Sequence, residues 1–126
     1  MSSSFNIIEG NNGGIAEVIS DKLLISEVQD ALDLMAECDY RGARRIIIKK
    51  ENIIPDFFDL KTGIAGEILQ RFSTYDMRLA ILGDFSKYES RALRDFIYES
   101  NKAGRILFVP DRKVALERLA HNYLNP

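Results

Sequence analysis

One cysteine, one histidine, three prolines and no tryptophan occur in this chain of 126 residues, and each shortage removes a class of explanation. With Cys38 alone, one chain can close no disulfide and build no thiolate metal cluster, which suits a reducing compartment. Cys38 falls at the end of a helical pattern, where a structural thiol is expected rather than a nucleophile. The single histidine, His121, reads as a surface residue near the end of the sequence, so no serine or cysteine has a histidine base in view. No apolar run approaches the ~18 residues of a membrane span. Met1 to Ser4 are polar, without side-chain charge, and no apolar signal region follows them. The net charge is −2, so no sequence-independent grip on nucleic acid or anionic membrane is implied. A Gly-x-Ser-x-Gly elbow, a phosphate loop and a dinucleotide fingerprint are also missing. The expectation is a cytoplasmic protein with no metal and no cofactor, and with neither nucleic acid nor membrane as partner.

What is present is ordinary for a globular chain: 46% hydrophobic and 29% charged residues. This length suits one domain over residues 1–126, with a core over about 5–119, burying roughly two thirds of the unfolded surface. Phe5 to Glu9 and Ile15 to Ile19 are short β-type runs. The Gly10-Asn11-Asn12-Gly13-Gly14 segment between them supplies positive-φ positions, which predicts an antiparallel hairpin. Ser26-Glu27-Val28-Gln29 reads as a capping box, opening a helix through Val28, Ala31, Leu32 and Met35 that ends at Gly42.

Arg44 to Lys49 and Met77 to Leu82 are runs of the kind buried on both faces of a parallel sheet. Between them, Lys50 to Ile54 form a loop, and Ile64, Ala65, Ile68, Leu69 and Phe72 trace one helix face. Ser86-Lys87-Tyr88-Glu89 reads as a second capping box, before a helix through Ala92, Leu93, Phe96 and Ile97. After Gly104 comes a last strand, Arg105 to Val109. Pro110-Asp111 then opens a final helix through Leu116, Leu119, Ala120 and Tyr123. The order β-β-α-β-α-β-α-β-α predicts a five-stranded, mostly parallel α/β sheet with an antiparallel first strand and right-handed crossovers.

Loops leaving the carboxyl ends of parallel strands share one rim, where α/β proteins concentrate ligand contacts. The candidate binding residues there are Asp56, Phe58, Asp59, Lys61, Thr62, Gly63, Asp84 and Ser86. Thr62-Gly63 at a helix start sets a hydroxyl beside free amides and the positive end of the helix dipole, a place that tolerates an anion or a phosphate on Thr62 itself. The plain alternative is that Asp59 or Thr62 caps the helix, with Gly63 and Gly66 allowing close packing on the sheet. Phe57, Phe58 and Phe85 are either core anchors or a contact patch. Arg41, Arg44 and Arg45 are either a phosphate contact or a solvated corner.

The central block, Pro-Asp-Phe-Phe-Asp-Leu-Lys-Thr-Gly-Ile-Ala-Gly-Glu-Ile-Leu, joins Leu-Ala-Ile-Leu-Gly-Asp-Phe-Ser-Lys-Tyr and Asp-Phe-Ile-Tyr-Glu-Ser-Asn. Together they resemble the bacterial domain-of-unknown-function family numbered four-one-eight-zero, over about Phe5 to Leu119. That resemblance implies no established activity. More remotely, the chain is similar to the anti-sigma factor antagonist (STAS) domains, which share the element order. In those domains the hydroxyl just before a helix-opening glycine is phosphorylated by a partner kinase. The resemblance puts Thr62 in that place, within Asp59-Leu60-Lys61-Thr62-Gly63-Ile64. The segment has one extra residue between the aspartate and the hydroxyl. The function expected is a non-enzymatic binding or regulatory module contacting a protein or a small anionic ligand through the rim. The alternatives are a small enzyme using Asp59, Lys61, Thr62 and Asp84 on a phosphate- or carboxylate-bearing substrate, and a homo-oligomeric scaffold.

Overall fold

Residues 3–10 and 13–121 are described by a computed structural model. The elements follow the expected order: β1 (Ser4–Ile8), β2 (Gly14–Ile19), α1 (Val28–Tyr40), β3 (Ala43–Lys49), α2 (Ile64–Thr74), β4 (Arg78–Leu82), α3 (Arg91–Ala103), β5 (Ile106–Val109) and α4 (Arg112–Ala120). One five-stranded sheet has the strand order β1-β2-β3-β4-β5. β1 runs antiparallel to β2, and β2, β3, β4 and β5 are mutually parallel, as the alternation predicted. Gly13 at the hairpin has φ +88, the positive-φ geometry that glycine adopts readily. Asn11, Asn12 and Tyr123, which also carried expectations, lie outside the described residues.

Sequential strand order with crossovers of one hand puts successive helices on one face of a sheet. Accordingly α1, α2 and α3 share a face, burying Met35, Cys38, Ile68, Phe72 and Leu93 against Val18, Ile46, Ile48, Leu79, Ile81 and Ile106. α4 follows the edge strand and has no next strand to reach. It folds under the other face, where Ala115 and Leu119 pack on Ile15, Ile47, Ala80, Leu107 and Val109. Its buried face is therefore Ala115 and Leu119, and the expected Ala120 is exposed.

Both predicted capping boxes are displaced. α1 is capped by Glu27, and the Asp30 carboxylate accepts the N–H groups of Ser26 (2.9 Å) and Glu27 (3.2 Å). α3 starts later than expected, with the Ser90 hydroxyl accepting from the Leu93 N–H at 3.1 Å. At α1 the reciprocal carboxylate is Asp30, one position beyond Gln29, and at α3 the hydroxyl that takes an end amide is Ser90, four positions beyond Ser86.

The arginine group splits. Arg41 pairs with Glu37 at 2.7 Å, and Arg44 pairs with Asp39 at 2.8 Å while donating to the Tyr75 carbonyl. Arg45 is no solvated corner: it is buried, beside Arg78 on the neighbouring strand. Arg45 donates to the carbonyls of Leu119 (2.6 Å) and Gly13 (2.5 Å). Arg78 donates to those of Gly104 (3.0 Å), His121 (2.6 Å) and Arg118 (3.4 Å). Burial lowers both guanidinium pKa values, and for Arg78 the neighbouring arginines lower it further. The carbonyls that end α4, at the negative pole of its dipole, offset that cost.

Candidate functional site at the strand-end rim

The rim begins where β3 ends. Asn52, only 1% exposed, accepts the Lys49 N–H through Oδ1 at 2.9 Å and donates through Nδ2 to the carbonyls of Ser20 and Lys22, each at 2.9 Å. Its backbone carbonyl takes the N–H groups of Leu24 and Ile25. A parallel bridge between Ile25 and Ile53 completes the seam. The loop after β2 and the loop after β3 are thereby held together as one wall.

After a 3₁₀ turn at Lys50–Asn52 the chain makes two more single-turn 3₁₀ segments, Pro55–Phe58 and Leu60–Thr62, before α2. Phe57 is fully buried and Phe58 is 7% exposed, so both are core anchors. Phe58 stacks on Tyr88 with centroids 5.2 Å apart and planes inclined by 14°, and Phe85 lies 6.0 Å from Phe58. The Lys50 ammonium sits 4.9 Å over the Tyr88 ring. Among the described residues, no carboxylate forms an ion pair with Lys50. A cleft of about 420 Å³ opens here, lined by Leu23, Lys50, Glu51, Pro55, Phe58 and Tyr88. A second cleft of about 310 Å³ lies between the ends of β4 and β5, lined by Gly83, Asp84, Phe85, Phe108 and Pro110 among others.

The residues expected to form a site divide into two turns. In the first, the exposed Asp59 accepts the Lys61 N–H at 3.2 Å, and the Thr62 hydroxyl is shared between the carbonyls of Asp56 (2.8 Å) and Asp59 (2.9 Å). The same hydroxyl oxygen accepts the Ile64 N–H at 3.3 Å. Gly63 has φ +78 and links this turn to α2. Asp56 enters these bonds through its backbone, and Lys61 is exposed. Gly66 is exposed too, and a Cβ built on it would meet nothing within 4 Å. It is therefore not a close-packing glycine.

In the second turn, Asp84 Oδ1 accepts from the Ser86 N–H (3.0 Å) and the Ser86 hydroxyl (2.6 Å). Those hydrogen bonds hold the Asp84 carboxyl below its usual pKa, and the charges of Lys87 and Lys50 add to the effect. Asp84 lines the smaller cleft and Phe58 the larger one; Asp59, Lys61 and Thr62 line neither. Lys50, on the loop that leaves β3, and Tyr88, at the end of the Gly83 to Tyr88 segment, both fall on the rim that the sequence points to; that the one meets the other is decided by the fold.

Among the described residues, no three His, Cys, Asp or Glu side chains are grouped to hold a metal ion. No helix among them is long and apolar enough to cross a membrane. Residues 10–119 match the family described as Domain of unknown function (DUF4180). The chain belongs to the DUF4180 family. No curated protein and no solved structure matches it. The matched stretch of this DUF4180 chain includes every element from β2 to α4 apart from the last residue of α4, together with both rim turns.

Proposed function

We propose that this DUF4180 chain is a binding module that takes a small organic anion, or an acidic protein segment, at the rim cleft beside Lys50. The observation that carries this reading is the Lys50 ammonium held over Tyr88, at the edge of an apolar cleft floored by Phe58. A cation that forms no ion pair among the described residues, beside a stacked aromatic pair, suits a ligand with one flat apolar part and one negative group. The Asn52 seam supports it further, because it holds the cleft wall in one conformation before any ligand arrives.

The enzyme alternative at Asp59, Lys61, Thr62 and Asp84 draws less support. The Asp59 carboxylate and Thr62 hydroxyl are engaged by their own turn, and Asp84 is engaged by Ser86. A phosphate on Thr62 would replace the proton that ties the turn to the Asp56 and Asp59 carbonyls, so modification there would act by loosening the start of α2.

The test is an amide-resolved NMR titration of the full chain with benzoate and, separately, with inorganic phosphate. Benzoate is expected to shift the amides of Leu23, Lys50 and Tyr88, with the shifts at least tenfold weaker in Lys50→Gln. Shifts from neither probe at those residues, or shifts undiminished in Lys50→Gln, overturn the reading.

A further inference from the structure

The two edges of the sheet are treated differently. Along β5, the Arg105 and Val109 carbonyls face β4, accepting the N–H groups of Leu79 and Gly83, each at 3.0 Å. The alternation of a strand then points the polar groups of Ile106 and Phe108 outward. α3 closes them off. The Ser100 hydroxyl donates to the Ile106 carbonyl at 2.6 Å. The Asn101 side chain accepts the Phe108 N–H at 2.7 Å and donates to the Phe108 carbonyl at 3.1 Å, imitating a neighbouring strand.

Among the described residues the outer backbone groups of β1 have no such cover, although the Arg41 guanidinium lies 4.2 Å over the Phe5 ring. The backbone of β1 pairs, among the described residues, with β2 alone. Ser4-Phe5-Asn6-Ile7-Ile8 contains no charge and no proline, the usual guards of an open edge.

From this we infer that the outer edge of β1 pairs with β1 of a second copy of this chain, antiparallel across a two-fold axis at Asn6, joining the two sheets into one. The residue pattern is what selects a second copy. Pairing about Asn6 sets Phe5 of each chain opposite Ile7 of the other, an aromatic–β-branched pair of the favoured kind. Both side chains already lie on the core face shared with α1, α2 and α3, so the two cores become continuous along the edge. Ser4 meets Ile8 and Asn6 meets Asn6 on the opposite face, each Asn6 amide donating to Glu17 of its own chain at 3.1 Å, so no like charges are directly opposed. An isologous contact of this kind closes on itself and leaves no further open edge to propagate a filament. The inference is independent of the rim.

Analytical ultracentrifugation of the full chain across the micromolar range tests it, together with two variants at Asn6, an exposed position. Wild type is expected to reach twice the chain mass. Asn6→Lys sets two ammonium groups against each other at the axis, so its dimer dissociation constant should rise at least tenfold while its circular dichroism spectrum is unchanged. Asn6→Cys under a mild added thiol oxidant should give a covalent dimer, because the native Cys38 is fully buried and does not compete. That variant also carries the test if Asn6→Lys fails to fold. A wild-type monomer throughout the range overturns the inference. So does a dimer that persists in Asn6→Lys while Asn6→Cys fails to cross-link, since its contact would then lie on another face.

Discussion

The aliphatic stem of Lys50 lies against the bare backbone of Gly83: a Cβ built on Gly83 would sit 2.8 Å from the Lys50 Cβ and 3.1 Å from its Cδ. The same Cβ would come within 3.2 Å of the Phe85 ring. Glycine is required here by space, and that space is what lets Lys50 cross the end of β4 towards Tyr88. Gly83→Ala should therefore displace Lys50 and cost about 1–3 kcal/mol in chemical denaturation. It should also move the Tyr88 ring resonances as the cation leaves the ring. A variant as stable as wild type, with unchanged Tyr88 signals, would contradict the close approach.

Asn52 holds two rim loops through three side-chain hydrogen bonds from a buried position. Asn52→Ala leaves the Ser20 and Lys22 carbonyls and the Lys49 N–H without those partners, at a cost of about 1–3 kcal/mol. The Leu24 and Ile25 amides, which bond to the Asn52 carbonyl, should then exchange with solvent faster than amides in the centre of β4. Uniform acceleration across the sheet would mean that Asn52 acts on global stability and not on the seam.

Two glycines only three residues apart should respond in opposite directions. Gly66 lies inside α2 with open space around its Cα, so Gly66→Ala should stabilise the fold by about 0.5–1 kcal/mol. Gly63 has φ +78, where a side chain meets the following carbonyl, so Gly63→Ala should cost about 1–2 kcal/mol. Thermal melts of the pair check both signs at once.

Cys38 is fully buried, and burial pushes its thiol up to about 12, with a further push from the Glu37 charge against an opposing one from Arg41. A thiol whose folded pKa is raised is favoured neutral by the fold. The unfolded chain can ionise it from near its ordinary 9.0, and the folded chain only near about 12. Its contribution is thus complete below pH 9.0 and declines as the pH rises from there towards about 12. Denaturation midpoints should fall faster over that window in wild type than in Cys38→Ala. At neutral pH the native thiol should react with a disulfide reagent orders of magnitude more slowly than the denatured one.

Much of this architecture is legible without coordinates because it rests on local physics. The β-branched run Ile46 to Ile48 and the run through Leu79 to Leu82 are too continuous for a half-solvated strand, and the Ile64 to Phe72 spacing suits only a helix face. Glycine at the hairpin and between long helical patterns marks where the chain must turn, and strand–helix alternation then requires parallel neighbours. What failed at this level was the choice among nearby residues with similar chemistry. Ser86 and Ser90 can both cap a helix, and which one does depends on how far the Gly83–Ser86 turn has run before α3 docks.

The strand order, the placement of α4 alone beneath the sheet, and the meeting of Lys50 with Tyr88 come from tertiary structure. So do the burial of Arg45 and Arg78 under the end of α4 and the closure of β5 by Asn101. Arg45 bonds to Leu119 across 74 positions of sequence, and no local pattern encodes an acceptor that distant. Sequence by itself determined which segments become strands and helices, because propensity and period act within a few residues. Only the packed fold decided which polar groups are buried, and therefore which are left to meet a ligand.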